Sequence, residues 1–129
     1  MQDQSSPRGT PLGTFALRDS AVDTSGVYEC CFVSGGKRYA HIMDTRTGRP
    51  VEVGPHEKAA LSATVALPRD RNSDGPALVL LVLGPKEGVA FADSLHLAAV
   101  LLDGDKKVYL SKAARPIFTL IDTSYSIQK

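Results

Sequence analysis

The sequence contains few cysteines and few aromatic residues. Cys30 and Cys31 are its only cysteines, tryptophan is absent, and aromatic residues make up 6% of the chain. Neighbouring residues of a strand point to opposite faces of the sheet, so this pair is a poor disulfide and a poor metal site. Because thiols are among the most buried side chains in proteins, we expect two buried, reduced cysteines.

Long apolar runs are also missing. The longest, Ala77 to Leu83, is much shorter than the ~20 residues of a membrane-spanning helix, so we expect no membrane span. The first nine residues lack the basic start and the apolar stretch of a secretory signal. As written, the sequence predicts a cytoplasmic protein, or an exported one if the chain is a fragment of a longer exported protein.

Neither sign of charge is in excess. Lysine and arginine total 15, aspartate and glutamate total 14, and the formal net charge is +1. Basic residues do not cluster with aromatic ones, so the electrostatic footprint of a nucleic-acid-binding protein is absent and we expect no nucleic-acid partner. A length of 129 residues with 43% apolar side chains suits one domain with its own core.

The residue pattern predicts a single α+β domain at residues 14–122, between a flexible leader at 1–13 and a tail at 123–129. Its sheet is expected to be mixed or antiparallel and rich in hairpins. Alternating residues and short apolar runs predict strands at 14–19, 27–33, 37–43, 61–67, 97–102, 107–110 and 117–121.

Two tight turns close the predicted hairpins. Ser34-Gly35-Gly36 can supply the positive φ values that such turns require. Asp103-Gly104-Asp105 closes the second hairpin. A polar loop is expected from Asp44 to Lys58, because its first residues combine Asp, Gly and Pro.

One layer of two helices is expected to cover the sheet. The run 77–83 is apolar on every side, which by itself does not separate a buried helix from a buried strand. A capping carboxylate at Asp74 before a proline, and a stop signal at Gly84-Pro85, favour a helix. A second helix is predicted at 86–95, with inward-facing side chains at Val89, Ala90 and Phe91.

The densest polar cluster follows the strand 37–43 and consists of His41, Asp44, Arg46, Thr47 and Gly48. A histidine can act as a base near neutral pH, an arginine suits a phosphate, and turn amides can cradle an anion. The cluster therefore points to a phosphate ester. The same residues also form an ordinary turn in which Asp44 bonds its own backbone, and spacing alone leaves both interpretations open.

Three other places carry polar side chains. The segment 23–26 offers two hydroxyls and a glycine that a ligand can approach, but its pattern favours an edge strand that ends in a turn. Asp74 can cap a helix or hold a cation, and capping is the commoner use. His56 and His96 have no metal-ligand spacing and are expected at the surface.

Four segments in a fixed order resemble the C-terminal half of the ApbE family, the FAD:protein FMN transferases once called thiamine biosynthesis lipoproteins. The resemblance runs from about Leu12 to Ser111, and its most specific part is the His-x-x-Asp-x-x-Thr-Gly stretch that starts at His41. The four segments are Ala21 to Glu29, Gly36 to Pro50, Ser62 to Val65 and Val82 to Gly88.

The resemblance implies a fold like the C-terminal subdomain of that family and a magnesium-dependent reaction. The family splits the pyrophosphate of FAD and joins FMN to a serine or threonine hydroxyl of an acceptor protein. FAD is then the substrate, and a flavoprotein is the acceptor. By the same resemblance His41 is the catalytic base beside the pyrophosphate and Asp74 is a metal ligand. The positions that match flavin-nucleotide-binding positions of the family are Thr24, Ser25, His41, Asp44, Thr47, Gly48 and Leu61.

The sequence departs from the family pattern at several of these places. The family's metal helix has a threonine four residues after its aspartate, so that both oxygens meet the cation, whereas this chain has Leu78 there. Magnesium prefers six oxygen ligands, so its binding is expected to be weaker. Asp23, Val27 and Thr45 also replace the usual residues.

Family members are expected to be about twice as long as this chain. Their N-terminal portion supplies most of the flavin pocket, so a second polypeptide is a candidate partner that completes the site. The sequence therefore predicts a partial or degenerate transferase. The alternatives are a non-catalytic member that binds flavin nucleotide or a protein partner, and a small α+β interaction module unrelated to the family.

Overall fold

The computed structural model describes residues 11–27, 30–68 and 74–128, with the side chain of Asp74 excepted. Two helices lie in the middle of the chain, α1 at Asp74–Leu83 and α2 at Pro85–Ser94. The strands are β1 Gly13–Phe15, β2 Ser20–Gly26, β3 Cys31–Ser34, β4 Lys37–Asp44, β5 Arg49–Glu52, β6 Ser62–Pro68, β7 Ala98–Leu102, β8 Lys107–Leu110, β9 Phe118–Leu120 and β10 Ser126–Gln128.

These strands form three sheets. The largest has the order β10-β8-β7-β6-β2, and its pairs are antiparallel except for the parallel pair of β10 and β8. The other two are an antiparallel β3-β4-β5 sheet and a β1-β9 pair. Helix α1 packs on β2 and β6, α2 packs on β7 and β8, and the helices pack on each other. The expected α+β architecture, with one layer of two helices, is confirmed.

The central strands bury both faces, which gives the domain two cores. Along β7, Leu101 points toward the helices, and Leu102 points to the opposite side. The first core lies between the helices and the sheet and includes Leu80 and Leu81, both fully buried. The second core lies on the other face and includes Leu12. The sequence of a strand that is buried on both faces is a continuous run of apolar residues, as it is at residues 97–102.

Both predicted hairpins are confirmed. In the first, Ser34 pairs with Lys37, and the intervening Gly35 and Gly36 have φ values of 57° and 77°. In the second, β7 pairs with β8. Tyr28 and Glu29, within the strand predicted at 27–33, lie outside the described residues. Residues 69–73, between β6 and α1, lie outside them too.

The strand predicted at 14–19 is wrong beyond Phe15. Gly13 to Phe15 pair with β9, and regular structure resumes at Ser20, after the exposed Asp19 with a φ of 50°. Residues 20–26 instead form an edge strand of the large sheet, as the pattern of 23–26 favoured. Strands β5 and β10 were not predicted, and Leu12, within the expected leader, is fully buried. Residues 1–10 of that leader lie outside the described residues.

The predicted inward face of α2 is confirmed at Val89, which packs against the first core, and is wrong at Ala90 and Phe91. Gly88 and Ala92 are its buried residues in mid-helix, whereas Ala90 is exposed and Phe91 is 42% exposed. A Cβ atom on Gly88 would lie 2.8 Å from the Leu101 side chain and 2.9 Å from the Leu80 carbonyl oxygen. The close approach of α1 and β7 therefore selects the smallest residues for the buried face.

The expectation of two buried thiols is also wrong, because Cys30 is exposed and Cys31 is half-buried. Strand β3 lies at the edge of the three-stranded sheet, and its Val33 is 70% exposed. Both thiols are free, and Arg38 Nη2 donates a hydrogen bond to Cys31 Sγ over 3.1 Å. Among the described residues, no helix has the length and apolar character needed to cross a membrane.

Candidate functional site

Strand β4 carries the candidate base on its outer face. Ala40 and Ile42 point into the first core, so the alternation of the strand turns His41 and Met43 outward. The backbone N–H of His41 donates to the carbonyl oxygen of Cys30 over 3.1 Å, and His41 Nδ1 lies 3.2 Å from the same oxygen. A carbonyl oxygen only accepts, so this contact requires a proton on Nδ1. In the neutral ring Nε2 is then the proton acceptor.

The turn after β4 is organised by the carboxylate of Asp44. Its Oδ1 accepts hydrogen bonds from Arg46 N over 2.9 Å and from Arg46 Nε over 3.0 Å, and its Oδ2 accepts one from Arg46 Nη2 over 2.8 Å. The Asp44 carbonyl oxygen accepts from the N–H groups of Thr47 and Gly48. Gly48 has a φ of 65°, which favours glycine. The hydrogen bonds of this segment are therefore those of an ordinary turn in which Asp44 bonds its own backbone.

The guanidinium group of Arg46 forms an ion pair with Asp44. The guanidinium edge that would grip a phosphate faces Asp44, and Nη2 also donates to the Val82 carbonyl oxygen of α1 over 3.4 Å. The hydrogen bonds from Arg46 lower the pKa of Asp44, and the hydrogen bond to Asp44 raises the pKa of Arg46. The two groups are both ionised at neutral pH and neutralise each other, which leaves little net charge at the turn.

An apolar groove separates this turn from α1. We call it the α1 groove. It has a volume of about 210 Å³, and its lining residues are Met43, Asp44, Thr45, Arg46, Leu78, Val79, Val82 and Leu83. Because Met43 and His41 share a face of β4, the groove opens on the side of the strand that carries the candidate base.

Thr24, Ser25 and Leu61 lie where β2 and β6 meet. Thr24 Oγ1 is 2.9 Å from Thr64 Oγ1, and Ser25 is paired with Ala63. Leu61 accepts a hydrogen bond from the N–H of Val27 and donates one to the carbonyl oxygen of Leu102. These described contacts belong to the large sheet rather than to the turn at 44–48. The structure therefore brings together Asp44, Thr47 and Gly48 in one turn and Thr24, Ser25 and Leu61 at one strand pair.

The predicted metal ligand remains a prediction. Asp74 begins α1, but its side chain lies outside the described residues. Leu78, one turn later, is 42% exposed, lines the α1 groove and offers no oxygen. Within residues 11–27, 30–68 and 75–128, no three histidine, cysteine, aspartate or glutamate side chains come together as a metal site requires.

Sequence reasoning missed a larger cavity of about 350 Å³ beside the junction of the two helices. His56 Nδ1 lies 3.1 Å from Asp105 Oδ2 there, and Tyr109 donates to Asp103 Oδ2 over 3.1 Å. Burial, together with that hydrogen bond to Asp103, raises the pKa of Tyr109. The side chain of His56 is 87% exposed, which confirms its expected surface position. Asp105, the carboxylate partner of His56, is far away in sequence, so the spacing of the two residues did not indicate the pair.

The Asp44–Arg46 pair predicts a specific loss of stability in acid. A carboxyl group whose pKa is lowered by folding contributes stability above its unfolded pKa of about 3.9, and that stability is lost as the pH falls through the folded value. Asp44→Asn keeps an oxygen for the Arg46 N–H and removes the charge. We expect the variant to be less stable at pH 7 and to show a flatter decline in stability from about pH 5 to pH 3. Urea unfolding across that range measures the free energy of unfolding of the wild-type chain and of the variant. If both free energies fall equally steeply from about pH 5 to pH 3, the prediction is wrong.

The fold agrees with comparisons against known proteins. A model described as the ApbE family matches residues 1–101. The FAD:protein FMN transferase of Vibrio cholerae is 33% identical over 104 residues, covering 78% of this chain and 30% of the relative. That of Haemophilus influenzae is 30% identical over 107 residues, covering 83% of this chain and 30% of the relative.

Solved structures give the same result. The flavin transferase ApbE of Vibrio cholerae superposes with a TM-score of 0.59 at 30% identity, over 76% of this chain and 30% of the other. The apo form of the Pseudomonas stutzeri flavinyl transferase ApbE superposes with a TM-score of 0.62 at 29% identity, over 86% of this chain and 38% of the other. This chain therefore matches about a third of the length of these relatives, and the expectation that family members are twice its length was too low. Since the family model matches most of the sequence, the chain belongs to the ApbE family.

Proposed function

We propose that this chain is the part of an FAD:protein FMN transferase that carries the catalytic histidine and the turn beside the diphosphate of FAD, and that alone it binds flavin nucleotide without transferring FMN. The observation that supports this most is the anchoring of His41. Its Nδ1 contacts the carbonyl oxygen of Cys30, so Nε2 is left to accept a proton, in the same strand that ends at the turn 44–48.

In this proposal His41 Nε2 takes the proton from the serine or threonine hydroxyl of an acceptor protein. The hydroxyl oxygen forms a bond to the phosphorus of the FMN half of FAD, the bond between that phosphorus and the bridging oxygen breaks, and AMP leaves. The tight turn at Gly48, with its φ of 65° and open space where a Cβ would lie, lets the backbone come close to the diphosphate, where a larger residue would crowd it.

The described residues do not fit a self-contained magnesium site. Magnesium prefers an octahedron of oxygen ligands. Asp44, the carboxylate that lines the α1 groove, is held by Arg46 on both of its oxygens. Leu78 presents a hydrocarbon where the resemblance calls for a hydroxyl. Asp74 remains the proposed ligand of this chain, with the other ligands supplied from outside it, and we derive no catalytic step through the metal.

The alternative of a non-catalytic flavin-binding member has specific support. Asp44 engages Nε and Nη2 of Arg46, and Leu78 provides no ligand, so the described site offers less stabilisation of the charge on a transferring phosphoryl group. In both interpretations flavin nucleotide is the ligand, and an acceptor flavoprotein is the partner only in the first. Binding of FAD is therefore the first property to test.

Gly48→Ala is expected to weaken FAD binding by about fivefold or more. A non-glycine residue in the left-handed region costs about 1–2 kcal/mol, which distorts the turn that faces the diphosphate. Gly36→Ala is the matched control, because Gly36 has a φ of 77° and, like Gly48, has open space where a Cβ would go. Equilibrium dialysis with FAD measures affinity, and thermal unfolding checks that both variants lose similar stability.

Two results would contradict the proposed function. Equal losses of affinity in the two glycine variants would show that the turn at Gly48 is not near the ligand. No measurable binding of FAD by the unmodified chain would favour a non-catalytic member of the family that binds a protein partner instead.

A further inference from the structure

The two cysteines are adjacent in the chain and differ in exposure. Both thiols are free, with Cys30 exposed and Cys31 half-buried. Cys31 lies opposite the fully buried Ala40, so its side chain is on the inner face of the three-stranded sheet, at the edge that β3 forms. Cysteines that respond reversibly to oxidants are solvent-accessible and have a second thiol next to them. The pair has both properties.

Arg38 contacts the sulfur of Cys31. Its Nη2 donates a hydrogen bond to Cys31 Sγ over 3.1 Å, from a position on β4 two residues before Ala40. The nucleophile in thiol chemistry is the thiolate, and a cationic donor stabilises negative charge on the atom that it contacts. Cys31 is therefore the thiol of the pair that is prepared to attack an electrophile, and the exposed Cys30 is the thiol that can react next.

The peptide bond between the two thiols also holds the candidate base. Its carbonyl oxygen, which belongs to Cys30, accepts from the backbone N–H of His41 over 3.1 Å and lies 3.2 Å from His41 Nδ1. A disulfide requires Cβ atoms about 3.8 Å apart, whereas successive Cβ atoms of an extended chain point to opposite sides. Joining the two sulfurs therefore turns this peptide bond, and its carbonyl oxygen leaves His41.

We propose that Cys31 and Cys30 form a reversible oxidation site for hydroperoxides, and that its oxidation releases the ring of His41. In the first step the Cys31 thiolate attacks the peroxide. A sulfur–oxygen bond forms, the oxygen–oxygen bond breaks, and the leaving oxygen departs as an alcohol, or as water from hydrogen peroxide. In the second step the Cys30 thiolate attacks the Cys31 sulfenic acid, the disulfide forms and water leaves.

A dithiol reverses the reaction. Two successive thiol–disulfide exchanges return Cys30 and Cys31 to thiols and convert the dithiol to its own disulfide. The pair is a poor permanent disulfide because its geometry is unfavourable, and strained or exposed disulfides are the labile and regulatory ones. In the reduced chain the Cys30 carbonyl oxygen keeps the proton of neutral His41 on Nδ1. In the oxidised chain that proton is free to move to Nε2, which then no longer accepts one.

The first experiment follows the thiols of the purified chain exposed to hydrogen peroxide. We expect a monomer whose peptide map contains a Cys30–Cys31 disulfide, and we expect dithiothreitol to restore both thiols. In Cys30→Ser the reaction should stop at a sulfenic acid on Cys31 that dimedone traps. Circular dichroism checks that this variant retains the fold, and the same peptide map separates thiol oxidation from oxidation of Met43, which is 50% exposed.

Arg38→Met tests the activation of Cys31, with Arg115→Met as the matched control. Both changes remove one positive charge from an exposed residue, but Arg115 lies in the connection between β8 and β9. Since the change at Arg38 removes a hydrogen bond to the reacting sulfur, we expect disulfide formation to slow by at least about threefold in Arg38→Met. We expect the rate to be unchanged in Arg115→Met.

Nitrogen-15 NMR of the histidine rings measures the effect on His41. We expect the reduced chain to carry the proton of neutral His41 on Nδ1, and the oxidised chain to show a population with the proton on Nε2. His96 is the internal control, because it lies in the connection between α2 and β7 and its ring signals should not change. In Cys31→Ser the same peroxide treatment should leave the His41 signals as they were, which excludes Met43 oxidation as the cause.

Three results would overturn the inference. The first is oxidation that produces a dimer linked through Cys30, or a sulfinic acid that dithiothreitol does not reverse, in place of the internal disulfide. The second is an equal rate in the two arginine variants. The third is formation of the disulfide with no change in the ring signals of His41. None of these measurements uses FAD, so failure of this inference is distinguishable from failure of the proposed function.

Discussion

Replacing Gly84 with alanine is expected to destabilise the protein by about 3 kcal/mol or more. Gly84 joins the two helices with φ 84° and ψ 170°, a combination that is essentially restricted to glycine and costs other residues of order 1–3 kcal/mol. A Cβ atom there would also overlap the backbone carbonyl of Lys58. Strain and overlap add, because relieving the overlap requires the chain at Lys58 to move away from the helix junction.

The measurement is thermal unfolding, with Gly75→Ala as the control. Gly75 lies in the first turn of α1, has no positive φ and has open space where the methyl group of an alanine would lie. Alanine is expected to be neutral there, or stabilising by up to about 1 kcal/mol. We expect a fall in Tm of roughly 6 °C or more for Gly84→Ala. If the two variants melt within about 2 °C of each other, the junction tolerates a side chain and the prediction is wrong.

The isolated chain is expected to form no FMN adduct on an acceptor peptide in the presence of FAD and magnesium. A general base, the role proposed for His41, contributes about 10²–10⁴-fold to a rate, whereas enzymes accelerate reactions at least about 10⁶-fold. The difference must come from groups that stabilise charge on the phosphoryl oxygens. The charge of Arg46 is compensated by Asp44, which weakens that stabilisation, and Leu78 has no oxygen and supplies none.

Flavin fluorescence of the peptide after gel separation measures transfer, and the Vibrio cholerae relative serves as the positive control. An adduct that forms with the wild-type chain, persists in His96→Ala and disappears in His41→Ala would contradict the prediction. His96 is the appropriate control because it is an exposed histidine in the connection between α2 and β7.

Much of the fold was predictable because short-range chemistry determines it. The glycine pair at 35–36 fixes the first hairpin, and Gly84-Pro85 fixes the break between the helices. Strand β5 was missed because Arg49 and Pro50 follow directly on turn residues and resemble a loop. Gly88 was missed as an inward-facing residue of α2 because hydropathy favours Phe91, whereas the space above Leu101 admits only a glycine.

The site was predictable in part. Spacing placed Asp44, Thr47 and Gly48 in one turn, and hydrogen bonds of that turn are local. The anchoring of His41 by Cys30 depends on the pairing of neighbouring strands, and the ion pair of Arg46 with Asp44 depends on side-chain geometry. The α1 groove is formed by segments that are distant in sequence, so no local pattern indicates it.

The exposed cysteine pair gives this protein a chemical handle close to its candidate base. Cys30 carries a free, accessible thiol, and its own carbonyl oxygen holds His41. A Cys31→Ser background would leave that thiol as the single attachment point for a fluorophore or a spin label. Such a reporter would sit on the residue that orients the imidazole, where the arrival of a ligand or a covering polypeptide alters its surroundings.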